Sequence, residues 1–238
     1  YGGFGIRTDM EVRGLQVRTK PGVADQLHSA ALGALGAASN PATTLARLGG
    51  LAERMFSLNR AYRAFLARFY RFAVRVAQVA GKQGWRRSLA QVAEERKDMR
   101  EIAKTAREDA CFADFGRSDL FVQFGDASGI RAGGAVLQPD GVVSAWTAPL
   151  PPRVVVGFGS NIKELRRVLI QMERHAAAHA AGGSSVYGCC VIDFTDSQYT
   201  SDVLEKGTAD TNEGNAIIRA IRRISISLRV TLYVFHVA

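Results

Sequence analysis

Cysteine is scarce in this sequence: Cys111, Cys189 and Cys190 are the only three in 238 residues. The count is odd and two are adjacent, which argues against a disulfide framework and for a reducing intracellular compartment, nucleus or organelle. No Cys/His spacing resembles a zinc site. Long apolar runs are missing too. None approaches the ~18 residues a membrane-spanning helix needs, so no membrane partner is expected. There is no secretory signal, and the chain opens on Tyr1, which reads as a processed chain or a fragment. Acidic residues are in deficit: 31 Lys plus Arg stand against 22 Asp plus Glu, a formal net charge of +9. That balance favours a polyanionic partner, nucleic acid before an anionic membrane surface. What is present is ordinary: 47% apolar and 22% charged residues, in a chain long enough for one large domain or two small ones with a buried core.

The acidic deficit is local. Over 54–87 the sequence carries Arg54, Arg60, Arg63, Arg68, Arg71, Arg75, Lys82, Arg86 and Arg87, with no Asp or Glu. Residues 41–110 read as helical throughout, with Gly81 and Gly84 interrupting them and a further helix expected over 89–107. On a 3.6-residue wheel Arg60, Arg68, Arg71 and Arg75 share one face, and Leu58, Phe65, Phe69, Phe72 and Val76 share the opposite one. The apolar face reads as core. The arginine face, with Arg63, Arg86 and Arg87, is a candidate nucleic-acid contact; a solvated surface is the alternative. Ahead of it, 1–6 and 12–17 read as a hairpin, and Pro21 opens a small-residue helix over 23–35.

Residues 111–238 change character. Strands are expected over 120–124, 132–137 and 142–146, the last two joined by the turn sequence QPDG. Ser160 reads as the cap of a helix reaching about Ala180 and stopping at Gly182–Gly183. The run SVYGCCVIDF reads as a strand buried on both faces. Helices over 198–205 and 212–228 and a strand over 230–237 complete the order β-β-β-α-β-α-α-β. The implied architecture is α/β: a meander extended by right-handed crossovers into a mixed sheet with flanking helices.

Three carboxylates are placed to converge. Asp126 follows the first strand, Asp196 follows the buried strand, and Glu164 lies one turn inside the joining helix. In open α/β sheets ligands gather beyond such strand ends. Unpaired, the three would repel one another; a hard cation such as Mg²⁺ removes that conflict. Each alone has a plainer reading, as turn former or helix cap. His175 and His179, at i and i+4, lack a third ligand and read as surface residues. Trp85 and Trp146 read as packing. Strand parity turns Asp193 away from Asp196, and Asp202 reads as solvated.

FGDASGIRAGGAVL resembles the first signature of the RNase H-like domains of reverse transcriptases. NIKELRRVL resembles the segment carrying that family's glutamate, and VIDFTDSQYTSDVLEKG its third signature. ISLRVTLYVFHVA resembles the final strand, with His236 at its end. Upstream, YGGFGIRTDMEVRGLQVRTKPGVADQL and LARLGGLAERMFSLNRAYRAFLARFYRFAV are similar to the hairpin and the thumb and connection helices of DIRS-type and LTR-retroelement enzymes. The resemblance implies a thumb/connection-like region over 1–110 and an RNase H-like domain over 111–238, a mixed five-stranded sheet with flanking helices. It implies Asp126, Glu164 and Asp196 as catalytic, Mg²⁺-binding residues. The palm and its Asp-Asp pair are missing, so this chain alone is not expected to polymerise DNA. The family's fourth acidic residue, expected past the final strand, is not met before Ala238, so three protein carboxylates rather than four are expected at the metal.

Two functions follow. One is a ribonuclease H cutting RNA in RNA–DNA hybrids by a two-metal mechanism. The other is a catalytically inert, domesticated remnant acting as a structural RNA-binding subunit of a ribonucleoprotein such as an organellar ribosome.

Overall fold

The computed structural model describes residues 4–9, 14–19, 21–56, 85–90, 93–107, 112–114, 119–183 and 186–237. The chain divides into two units, Tyr1–Arg117 and Ser118–Ala238. Arg60, Arg63, Arg68, Arg71 and Arg75 lie outside the described residues.

In the first unit the described elements are β1 (Phe4–Asp9), β2 (Gly14–Thr19), α1 (Pro21–Gly36), β3 (Ser39–Pro41), α2 (Ala42–Phe56), β4 (Ser88–Ala90), α3 (Ala93–Arg107) and β5 (Phe112–Asp114). β1 and β2 form the expected hairpin, and β5 adds to β2. α1 and α3 pack together, burying Leu27, Ala31 and Ala34 of one and Met99, Ile102 and Ala106 of the other. The last carbonyls of α1 find donors outside the helix. Asn40 Nδ2 donates to Ala34 O at 2.8 Å and Arg96 Nη2 to Leu35 O at 2.6 Å. The expectation that 41–110 is helical apart from the break at Gly81 and Gly84 fails at β4, which pairs antiparallel with β3. The neighbouring Ala42 N–H, at the start of α2, donates to Arg87 O at 3.1 Å. Backbone groups at 88–90 are thus satisfied across a ladder, and the following helix starts at Ala93 instead of 89.

The second unit contains β6 (Leu120–Ala127), β7 (Arg131–Leu137), β8 (Val143–Pro149), α4 (Pro152–Gly157), α5 (Ser160–Ala180), β9 (Cys190–Thr195), α6 (Gln198–Lys206), α7 (Asn212–Ser227) and β10 (Thr231–His236). The sheet order is β10-β9-β6-β7-β8. β7 is antiparallel to both neighbours, and β9 and β10 are parallel to β6. That order and those directions make an RNase H-like α/β fold. Alternation assigns the faces. Phe121, Gln123, Val191, Asp193 and Leu232 are buried, while Leu120, Phe124, Tyr233 and Phe235 are exposed. α5 packs on β6 and β7, α6 on β9 and β10, and α7 on α5. Trp146 is buried with Ala132 and Leu150, as packing was expected to place it, and the Arg174 guanidinium lies 5.4 Å from its ring centre. Among the described residues no helix is long and apolar enough to cross a membrane.

Caps differ from expectation at one helix. Gly159, extended, is the cap of α5, and Ser160 is its first helical residue with no capping bond. The short α4 was not expected; Pro152 occupies its first turn, where a missing N–H costs nothing. Ser197 caps α6 by accepting from Thr200 N–H at 3.2 Å, and Gly207 closes that helix at φ 74°, where glycine carries no Cβ penalty. The turn into α7 is pinned by buried Asn215. Its Oδ1 accepts from Ala209 N–H at 3.0 Å and Thr208 Oγ1 at 3.2 Å, and its Nδ2 donates to Ala209 O at 2.6 Å and Thr211 O at 2.7 Å.

Replacing Asn215 with Ala strands the buried Ala209 groups. The expected cost is about 2–3 kcal/mol, read as a lower urea midpoint with an unchanged slope.

Candidate metal centre

Pairing of β6 with β7 runs as far as Ala127↔Ala132. Asp126 is therefore the penultimate residue of the strand, where the sequence placed it just beyond. Its cross-strand partner is Gly133, which offers no side chain to crowd it. The turn closes on Ser128, whose N–H donates to Arg131 O at 2.8 Å. Beside it lies a groove of about 550 Å³ lined by Phe124, Asp126, Arg131, Gly133, Ala135 and Thr147. Asp196 follows β9 directly. Because Ser197 performs the capping of α6, the Asp196 carboxylate is not consumed as a cap.

Glu164 arrives from α5, one turn in, and is buried. One carboxylate oxygen each from Asp126, Glu164 and Asp196 lie within 4.8 Å of one another. The structure thus brings all three sequence-predicted carboxylates together. Ala127 N–H donates to Glu164 Oε1 at 2.6 Å, tying α5 to the end of β6. Burial pushes the Glu164 carboxyl from 4.5 up to about 7; the Ala127 bond opposes that shift, a hydrogen bond with Asp126 adds to it, and the Arg167 charge opposes it. Glu164 Oε2 is buried with no hydrogen-bond partner among the described residues, and Arg167 Nε lies 3.9 Å from it. Like charges ~4 Å apart repel by about 4 kcal/mol at an effective dielectric of ~20, so this cluster needs a proton or a cation. An all-carboxylate donor set with one buried, unsatisfied oxygen fits a hard divalent ion such as Mg²⁺.

Beneath the cluster runs a polar network that the sequence did not reveal. Arg167 Nη1 donates to both oxygens of Asp193, at 2.6 and 2.7 Å. Burial pushes the Asp193 carboxyl up, and Arg167 and Gln123 hold it down. Gln123 Nε2 donates to Asp193, so Gln123 Oε1 must accept, and it lies 3.0 Å from His175 Nε2. The amide nitrogen of Gln171 lies 3.1 Å from the same ring nitrogen, so one face of His175 meets both an acceptor and a donor. Burial, then the Arg174 charge, lowers His175 to about 4. The expectation that His175 is a surface residue is thereby corrected. The apolar stripe Leu165, Val168, Leu169, Met172 continues onto it at i+3, a signal available in the sequence. His179, which the sequence paired with it, stacks on Tyr187 with ring centres 5.2 Å apart. Asp202 accepts from Gln198 at 2.7 Å, and His236 is exposed.

Of the predicted nucleic-acid contacts, Arg86 and Arg87 are exposed. Arg100, Lys104 and Arg107, which the sequence did not single out, are spaced along one face of α3. With His28 and Leu32 they line a cavity of about 450 Å³ in the first unit.

No family model matches the chain, and no curated protein matches it. Among solved structures it is similar to RNase H1 from the halophilic archaeon Halobacterium salinarum NRC-1, at 15% identity and TM-score 0.36, covering 51% of this chain and 86% of that one. It is also similar to the foamy viral protease-reverse transcriptase dRH in complex with double-stranded DNA, at 13% identity, TM-score 0.34 and 98% coverage of this chain. A third is the foamy viral protease-reverse transcriptase in complex with RNA/DNA hybrid, at 11% identity, TM-score 0.32 and 98% coverage. The chain spans 38% and 29% of those two viral chains.

Glu164 holds its proton more tightly folded than unfolded. Its contribution to stability is full below 4.5 and is lost as pH rises to about 7. His175, lowered to about 4 from 6.5, has the opposite slope and loses stability as pH falls through that window. Thermal unfolding of the parent and Glu164→Gln without metal isolates the first effect as their difference. Adding Mg²⁺ should raise the parent's midpoint most above pH 7, and that of Glu164→Gln much less.

Proposed function

We propose that this chain is an RNase H-like nuclease related to reverse transcriptases, cleaving the RNA strand of RNA–DNA hybrids with Mg²⁺ held by Asp126, Glu164 and Asp196. The observation that carries the proposal is the convergence of these carboxylates from β6, α5 and the end of β9 within 4.8 Å. Magnesium bound there would supply water activation and stabilisation of the leaving oxygen, as paired ions do in in-line phosphoryl displacement. The chain's own part is positioning. Exposed Asp126 and Asp196 face the substrate side, and Glu164 is fixed from behind by Ala127 N–H. The glycine-floored groove beside Asp126 leaves room for a strand of nucleic acid. Residues 1–110 are read as the thumb and connection of a DIRS-type or LTR-retroelement enzyme.

Charge supports a division of labour. Residues 1–117 hold 20 Lys plus Arg against 11 Asp plus Glu, leaving +9; residues 118–238 hold 11 against 11, leaving zero. Affinity for the phosphate backbone would then come from the first unit and chemistry from the second. The same asymmetry favours the second reading, an inert RNA-binding subunit of a ribonucleoprotein, because binding would survive the loss of cleavage.

The deciding experiment is Mg²⁺-dependent cleavage of a labelled RNA–DNA hybrid at low salt. The nuclease predicts cleavage by the parent and a loss of at least about 100-fold in Asp126→Asn and Asp196→Asn. No cleavage, with salt-sensitive RNA binding indifferent to both substitutions, would leave the structural reading. In either case Arg100→Ala with Arg107→Ala should weaken binding across sequences and flatten the salt dependence by about 0.9 for each phosphate no longer neutralised.

A further inference from the structure

Arg167 is almost completely buried, three residues after Glu164 on α5. Its side chain crosses β6 at Gly125, where an added Cβ would lie 2.7 Å from Arg167 Cδ. The guanidinium therefore sits between two carboxylates. It grips Asp193 with two charge-assisted bonds at 2.6 and 2.7 Å and stands 3.9 Å from Glu164 Oε2. Among the described residues neither Arg167 Nε nor Glu164 Oε2 has a hydrogen-bond partner.

We propose that Asp193 is a positioning residue for the metal centre, which by occupying Arg167 keeps Glu164 available to a divalent cation. The proposal rests on the reading of Asp126, Glu164 and Asp196 as a cation site. An arginine never sheds its charge, and a buried one must be paired. Two anions are within reach, and the nearer one has it. Gln123 Nε2 donates to the same carboxylate, and His175 fixes the Gln123 amide, so Asp193 is held in place to receive the arginine. Without that anion, the unpartnered Nε–H and Oε2 need close by only about 1 Å to form an ordinary hydrogen bond. Glu164 would then be the counter-ion of Arg167 and a poorer ligand. Gly125 is the matching backbone adaptation, because any side chain there would block the arginine's path to Asp193.

The test is Mn²⁺ binding, followed by titration calorimetry without nucleic acid, on the parent, Asp126→Asn, Asp193→Asn, Arg167→Met and Arg167→Met/Asp193→Asn. Asp193→Asn should weaken binding about 10-fold or more, the range seen when a supporting residue behind a metal ligand is removed. The double substitution removes the competing cation and should return affinity to within about 3-fold of the parent. A pair that only stabilises the fold predicts no such rescue. Asp193→Asn binding like the parent, or a double variant as weak as Asp193→Asn, overturns the proposal. If Asp193→Asn does not fold, Arg167→Met decides alone: binding at least as tight as the parent's supports the proposal, and weaker binding overturns it. A parent that does not bind Mn²⁺, or binds it regardless of Asp126→Asn, sinks the cation reading and this inference together. Weak binding in Asp126→Asn with no effect of Asp193→Asn sinks the inference alone.

Discussion

Repulsion among three carboxylates is the constraint around which the second unit is arranged. Asp126, Glu164 and Asp196 come from separate elements and meet within 4.8 Å. Left alone, such a cluster would push strand ends and helix apart. Three local features oppose this. Ala127 N–H holds one oxygen of Glu164, the raised Glu164 carboxyl retains a proton to about pH 7, and Arg167 places a positive charge behind it. Each of these compensations is partial. The unsatisfied Oε2 marks where the cluster still has affinity to spare.

The layer beneath the cluster is unusual for a helix–sheet interface. Arg167, Asp193, Gln123, Gln171 and His175 are all buried there, where apolar side chains would pack without desolvation cost. Replacing such a network with apolar residues is often neutral or stabilising, so stability alone does not account for it. Its charges cancel pairwise, with Asp193 against Arg167, while His175 is kept neutral. The layer therefore adds no net charge beneath the cluster.

The opposite face of the sheet is built differently. Phe124, Phe194 and Phe235 stand in register across β6, β9 and β10, with ring centres 5.2 and 6.1 Å apart. Phe124 and Phe235 remain about half exposed. The same strand alternation that sends Gln123 and Asp193 inward sends these rings outward. One set of strands thus carries a polar network on one face and an aromatic row on the other, with the carboxylates at their ends.

Local chemistry was readable from the sequence. Period-2 apolar runs, turn residues and helix stops placed most strands and helices of 118–238, but α4 was not foreseen and β9 begins at Cys190 instead of 185. The positions of Asp126, Glu164 and Asp196 beside strand ends and a helix start brought out the cluster. Errors arose where the outcome depended on residues distant in the chain. Asp126 lies within β6 because β7 goes on pairing with it. Residues 88–90 form a strand because 39–41 offer an edge. His175 is interior because Gln123, 52 positions earlier, places its amide 3.0 Å from the ring. Asp193 could be assigned a direction from parity but not a role, since its partner arrives from another element through a gap opened by Gly125. The sequence by itself determined most of the elements of 118–238 and which acids stand at their ends, because those follow from neighbours along the chain. Tertiary structure alone decided which buried charge faces which, because in the interior an ion's state is set by whatever partner lies within about 4 Å, whatever its place in the sequence.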